Sequence, residues 1–135
     1  MFNSEIASFA IRAESRDGLA RISAYGELDL ASFPLLVRAL EAVDQLKLAR
    51  VVLDFTDLTF VDSTGVHAIL RAQTRATESG SVLVVVNATQ NVRRVFELTH
   101  TEHLFEAATS DDATVTQCDD GPGWVPIAIP KVDDG

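Results

Sequence analysis

Asp62, Ser63 and Thr64, followed by Gly65, place one carboxylate and two hydroxyls side by side in the chain. A cluster of this kind can cap a helix, offer a hydroxyl for modification, or supply a nucleophile to a neighbouring base. Asp and Ser are both favoured N-cap residues, because a side-chain oxygen there accepts a hydrogen bond from an otherwise unpaired amide of the first turn. Those amides and the helix dipole also gather about half a positive charge, which favours an anion. As a nucleophile, Ser63 has only His67 within reach, four residues on and therefore on the same helical face. No orienting carboxylate or oxyanion site accompanies that pair, so the residues do not describe a hydrolase and no catalytic residue is assigned. His100, Glu102 and His103 have a spacing that could hold zinc, but no further ligand cluster joins them and Cys118 is the only cysteine. No phosphate loop, dinucleotide glycine pattern or calcium loop occurs, so neither a cofactor nor a metal is expected.

The elements around this turn follow from periodicity. Val51, Val52, Leu53 and Phe55 form an apolar run of the kind a strand buried on both faces requires, and Thr56–Phe60 is read as climbing out of it. A helix is expected from about Ser63, with Val66, Ile69, Leu70, Ala72 and Ala76 on one face and Arg71, Arg75 and Glu78 turned away, stopping at Gly80. Upstream, Glu5–Ala13 reads as a first strand, Asp17-Gly18 as a hairpin turn, and Leu19–Tyr25 as a second strand antiparallel to the first, the two forming an edge hairpin. Gly26-Glu27-Leu28-Asp29 is, on spacing alone, a loop. Ser32 is placed to cap a helix carrying Leu36, Val37, Leu40 and Val43 and ending near Lys47, with Pro34 tolerated in its first turn. Val82–Val86 is an uninterrupted apolar run, expected to lie centrally in the sheet. Thr89 caps a short helix with Val92, Val95, Phe96 and Leu98 on one side and Arg93-Arg94 on the other; Leu104–Ala107 reads as a last short strand and Ser110–Gln117 as a helix of one or two turns. Gly121–Pro130, with three prolines and two glycines, is an extended arm. Its Trp124, Ile127 and Ile129 are too apolar for a solvated linker, so the arm is expected to lie on its own domain or on a neighbouring molecule.

A chain of 135 residues suits one domain able to bury a sizeable core without a staple. The net charge of −9, from 20 acidic and 11 basic residues, opposes adhesion to nucleic acid or an anionic membrane and leaves a basic protein surface as a partner. The lone cysteine, the absence of a basic leader and the absence of a long apolar run point to a reducing compartment, the cytoplasm, without direct membrane contact.

The string Asp-Leu-Thr-Phe-Val-Asp-Ser-Thr-Gly-Val at 57–66, joining strand to helix and following Gly26-Glu27-Leu28-Asp29, resembles the STAS domain of bacterial anti-sigma factor antagonists. The hallmark of that family is an Asp-Ser-Ser/Thr-Gly turn opening the second helix. The likeness runs from about Glu5 to about Gln117, and implies an α/β fold: a mixed central sheet of four to five strands with an edge hairpin and helices packed on it. Residues 1–117 are then the STAS domain and 118–135 the arm. The resemblance further implies a non-enzymatic switch. Unphosphorylated, it binds a histidine-kinase-like anti-sigma factor and frees a sigma factor; that same anti-sigma factor, a serine kinase, phosphorylates Ser63, and a serine phosphatase restores the complex. Asp62, Thr64, Gly65 and His67, with Glu27 and Asp29, are the implied switch turn and partner contacts, and a weak homodimer is compatible with this scheme. An alternative is a non-phosphorylated STAS subunit of a lipid-transport or transporter assembly.

Three departures from the family habit bear on the partner rather than the fold. His100 stands where a glycine is common after Phe96-Glu97-Leu98-Thr99, and Thr101 follows where an apolar residue often sits. His67 occupies an outward position where small or apolar residues are usual. The apolar arm has no counterpart in the family pattern.

Overall fold

The computed structural model describes residues 4–6, 8–105 and 120–131. The chain runs β1 (Ser4–Ile6), β2 (Phe9–Arg16), β3 (Leu19–Leu28), α1 (Phe33–Asp44), β4 (Arg50–Val61), α2 (Ser63–Glu78), β5 (Val82–Val86), α3 (Gln90–Leu98) and β6 (Val125–Pro126). The strands pair in the order β1-β2-β3-β4-β5, with β6 also pairing β2. β1, β3 and β6 lie antiparallel to β2, whereas β3–β4 and β4–β5 are parallel. This is the mixed sheet with packed helices expected of the sequence, each parallel pair being joined by a crossover helix.

One face of the sheet carries the main core. Ile11, Ile22, Leu53, Phe55 and Val85 from the strands meet Leu36 of α1, Ile69 of α2 and Phe96 of α3, all of them buried. The other face holds a smaller cluster, Leu19, Val52, Val84 and Val86, against which Trp124 packs. Two-sided coverage explains why β3 is buried continuously from Leu19 to Ala24 despite its alternating sequence.

Several boundaries differ from the sequence reading. The first strand is two: the chain reverses between Ile6 and Phe9, so that Ser4 faces Ile11 and Ile6 faces Phe9. Ile6 and Phe9 are three residues apart and cannot share a face of one period-two strand, which is the signal for the break. Gly26–Leu28 is not loop but the end of β3, and Thr56–Phe60 does not leave the sheet but continues β4 to Val61. Register shifts between Ser23 and Tyr25 and between Gly26 and Glu27 absorb the mismatch and carry both strands onward together. Gly26 is required there: its φ is +92°, and a Cβ would stand 2.0 Å from the Ser8 carbonyl oxygen, which accepts the Glu27 amide at 3.0 Å.

β5 is at the end of the pairing order rather than at its centre. Its apolar run reflects burial of both faces, Leu83 and Val85 on the helix side and Val84 and Val86 on the other, not the number of strand neighbours. α1 ends at Asp44, short of Lys47, where the backbone turns to φ +53°. Residues 103–105 are helical, not a strand, with Leu104 and Phe105 buried against Phe96, whose ring meets Phe105 edge-on at 5.0 Å. The expected helix at 110–117, Cys118 and the domain boundary at 117 lie outside the described residues.

Residues 120–131 form an arm that lies on its own domain. Ser15 faces Val125 and Glu14 faces Pro126, and the Ile127 amide donates to the Ala13 carbonyl at 2.9 Å. The arm crosses the edge of β2, placing Trp124 on one side of the sheet and Ile127 in the helix-side core. The guanidinium groups of Arg16 and Arg21 stand 4.4 and 4.3 Å from the Trp124 ring centre. Arg21, 6% exposed, also pairs with Glu14 directly across the ladder at 2.5 Å and with Asp120 at 3.2 Å.

Candidate functional site

The parallel strands β3 and β4 end at the same edge of the sheet, and the candidate residues gather there. Glu27 faces Phe60, Leu28 faces Val61, and the Asp62 amide donates to the Leu28 carbonyl at 3.1 Å. The chain then turns directly into α2. Asp62 is its N-cap, with extended backbone, and its Oδ1 accepts from the Gly65 amide at 3.2 Å while its carbonyl accepts from the Val66 amide at 3.2 Å. Among the described residues this leaves the Ser63 and Thr64 amides as the open donors of the first turn.

Ser63 is the first residue of α2 and is exposed, Thr64 is half-buried, and His67 is exposed one turn on. Gly65 has a packing role: a Cβ there would stand 2.7 Å from Leu28 Cδ2 and 3.0 Å from Val61 Cγ2, both on buried side chains. Glycine thus lets the positive end of α2 sit directly on the ends of β3 and β4, which fixes where Ser63 emerges.

The two upstream acidic residues are arranged differently from one another. Glu27 is exposed. Asp29 is tied into its own loop, its Oδ1 accepting from the Ala31 and Ser32 amides and lying 3.1 Å from the Ser32 hydroxyl. Ser32 precedes α1 as expected but does not cap it through its side chain. Its hydroxyl accepts from the Asp29 amide at 2.9 Å and reaches the Glu27 carbonyl at 2.8 Å, knotting residues 27–32 together. Asp29 therefore shapes the loop beside the turn more than it presents a free charge.

The sequence reading overlooked Leu30 and Phe60, which are 69% and 47% exposed. Phe60 precedes Ser63 by three residues, and Leu30 follows the Leu28 that bonds Asp62. Both are large apolar side chains left in solvent close to the polar turn along the chain. No cluster of ligating residues occurs among the described residues, and His103 Nε2 lies 3.1 Å from Gln73 Oε1. No described helix is long and apolar enough to cross a membrane.

The STAS domain family matches residues 10–113. No curated protein sequence matches this chain. Among solved structures, an anti-sigma factor antagonist from Mycobacterium paratuberculosis is 25% identical, with a TM-score of 0.69, over 86% of this chain and 99% of that one. The anti-sigma factor antagonist SpoIIAA in its unphosphorylated form is 22% identical with a TM-score of 0.62, over 77% of this chain and 96% of its own. The phosphorylated form, from Bacillus, is 21% identical with a TM-score of 0.60, over 77% and 99%. The murine anion transporter Slc26a9 shares 16% identity with a TM-score of 0.55, over 71% of this chain and 18% of that one, a likeness of fold alone.

Proposed function

The chain belongs to the STAS domain family, and from that premise we propose that it is an anti-sigma factor antagonist: a protein-binding switch, not an enzyme, controlled by phosphorylation of Ser63. Unphosphorylated, it binds a histidine-kinase-like anti-sigma factor and frees a sigma factor in the cytoplasm; the anti-sigma factor acts as the serine kinase, and a serine phosphatase reverses the step. The observation that carries this reading is the exposed Ser63 hydroxyl at the N-terminus of α2, flanked by exposed Leu30 and Phe60.

The chemistry of the switch follows from that placement. A phosphoserine brings about −1.5 to −2 charges and three acceptor oxygens. In the free protein the Ser63 and Thr64 amides and the helix dipole accommodate them, and His67 stands on the same face. A partner packed over Leu30 and Phe60 would instead bury the phosphate beside Glu27 and Asp62 without a matching cation, and each 1.4 kcal/mol so lost is about a tenfold drop in affinity. Phosphorylation of the hydroxyl thereby opposes docking without disturbing the fold.

The test is incubation with the cognate kinase and ATP, followed by mass mapping and titration of the variants. A single phosphate on Ser63 is expected. Ser63→Asp should fold normally and bind the partner at least about tenfold more weakly, while Ser63→Ala should lose phosphorylation and keep binding. Equal affinity of the two variants would overturn the proposal. The transporter-subunit reading predicts no modification at Ser63, and nothing in the site favours it.

A further inference from the structure

The arm lies outside the family match, yet it is seated on the rim of β2 with the contacts of a bound peptide. The Ala13 carbonyl accepts from the Ile127 amide at 2.9 Å, with Ser15 facing Val125 and Glu14 facing Pro126. Backbone groups alternate along such a ladder, so the amide position of Pro126 points away from β2 and no hydrogen bond is lost there. Two side chains anchor the segment. Trp124 packs on the face of Leu19, Val52 and Val84, its ring held by the guanidinium groups of Arg16 and Arg21, while Arg16 Nη1 donates to the Pro122 carbonyl at 3.2 Å. Ile127, 7% exposed, enters the helix-side core, and Val125 between the two anchors is left 60% exposed. The anchors are three residues apart, and on an extended segment that spacing puts them on opposite faces. They therefore straddle the sheet edge, which a spacing of two or four would not allow.

We propose that the rim of β2 is a peptide-binding edge whose ligand is an extended segment carrying Trp and, three residues on, an aliphatic residue, and that the chain's own arm occupies it as a tethered ligand. Tethering decides the competition. A segment joined to its site by the chain faces it at an effective concentration on the order of millimolar, so a free peptide of the same sequence does not displace it at micromolar concentration. A chain whose two anchors are replaced loses that competitor, while Ala13, Arg16 and Arg21 on the receiving side are unchanged. The site shares no residue with the Ser63 turn.

The experiment is a two-dimensional amide NMR titration of the full-length double variant Trp124→Ser, Ile127→Asp with a synthetic peptide of residues 120–131. Saturable shifts at Ala13, Ser15 and Arg21 are expected, and the intact chain should bind the same peptide at least about tenfold more weakly. A peptide lacking Pro126, which brings the isoleucine to the second place after the tryptophan, should bind the double variant at least about tenfold more weakly than the unaltered peptide. Arg16→Ser added to the double variant should weaken binding about twofold to fivefold through loss of the ring contact. If the double variant does not fold, Trp124→Ser alone leaves the receiving side intact and should still take up the peptide more tightly than the intact chain does. Absence of saturation in a folded variant, equal binding of the peptide lacking Pro126, or equal binding by the intact chain would overturn the assignment.

Discussion

The two faces of the sheet are closed by different physics. On the helix side, α1, α2 and α3 bury a continuous apolar cluster in which Leu36, Leu53, Phe55, Ile69 and Phe96 have no exposure. On the other side the apolar patch is short, and its cover among the described residues is an arm held by Trp124 across two arginines, one of them ion-paired to Glu14 and Asp120. The first face is held by apolar area and close packing, which are hard to separate into parts. The second depends on a few identifiable contacts, the largely buried Arg21–Glu14 pair and the two arginines on the Trp124 ring among them. The family match, residues 10–113, takes in the strands of both faces and ends before the arm begins.

The contrast can be broken most severely from the helix side. Leu53→Ala should cost about 2–5 kcal/mol in chemical denaturation, since the cavity it leaves is walled by helices and strands that cannot collapse onto it. Gly65→Ala should cost about 1–3 kcal/mol, because its methyl group would press on Leu28 and Val61. A neutral result there would show that α2 can lift off the strand ends, and the position of Ser63 would no longer be fixed by packing. Trp124→Ala should cost about 1–2 kcal/mol and leave the helix-side core intact, seen as loss of protection at the Ile127 amide with unchanged amide exchange in α2. Smallest of all, a double-mutant cycle between Arg16 and Trp124 should give a coupling of about 0.5–1 kcal/mol that shrinks as salt is raised. Coupling that is insensitive to salt would make the second face apolar in character like the first.

The part of the fold most legible in the sequence was the part built on one strong rule. The turn from β4 into α2, the start of α2 at Ser63 and the cap of α3 by Thr89 follow from helix-start chemistry, and the Asp17-Gly18 turn adopts the positive φ values its residues suit. The extension of β3 through Gly26–Leu28 was not legible, because two register shifts hide the alternation that would reveal it. The edge position of β5 was hidden for another reason: burial of both faces produces the same apolar run whether a strand has one neighbour or two. In the candidate site, the place of Asp62, Ser63 and Gly65 at the start of α2 could be read from their types and order. Leu30 and Phe60 could not, since an exposed apolar residue is recognised only once its neighbours are known to be buried.

The pairing along β2 has one more consequence. Its outer rim is taken up from both directions, by Ser4–Ile6 at one end and by Val125–Pro126 at the other. The two segments that take it up are short, three residues and two, so the edge each leaves on its own outer side is brief. Short edges offer little template for pairing with another copy, which is one way a sheet is kept from growing.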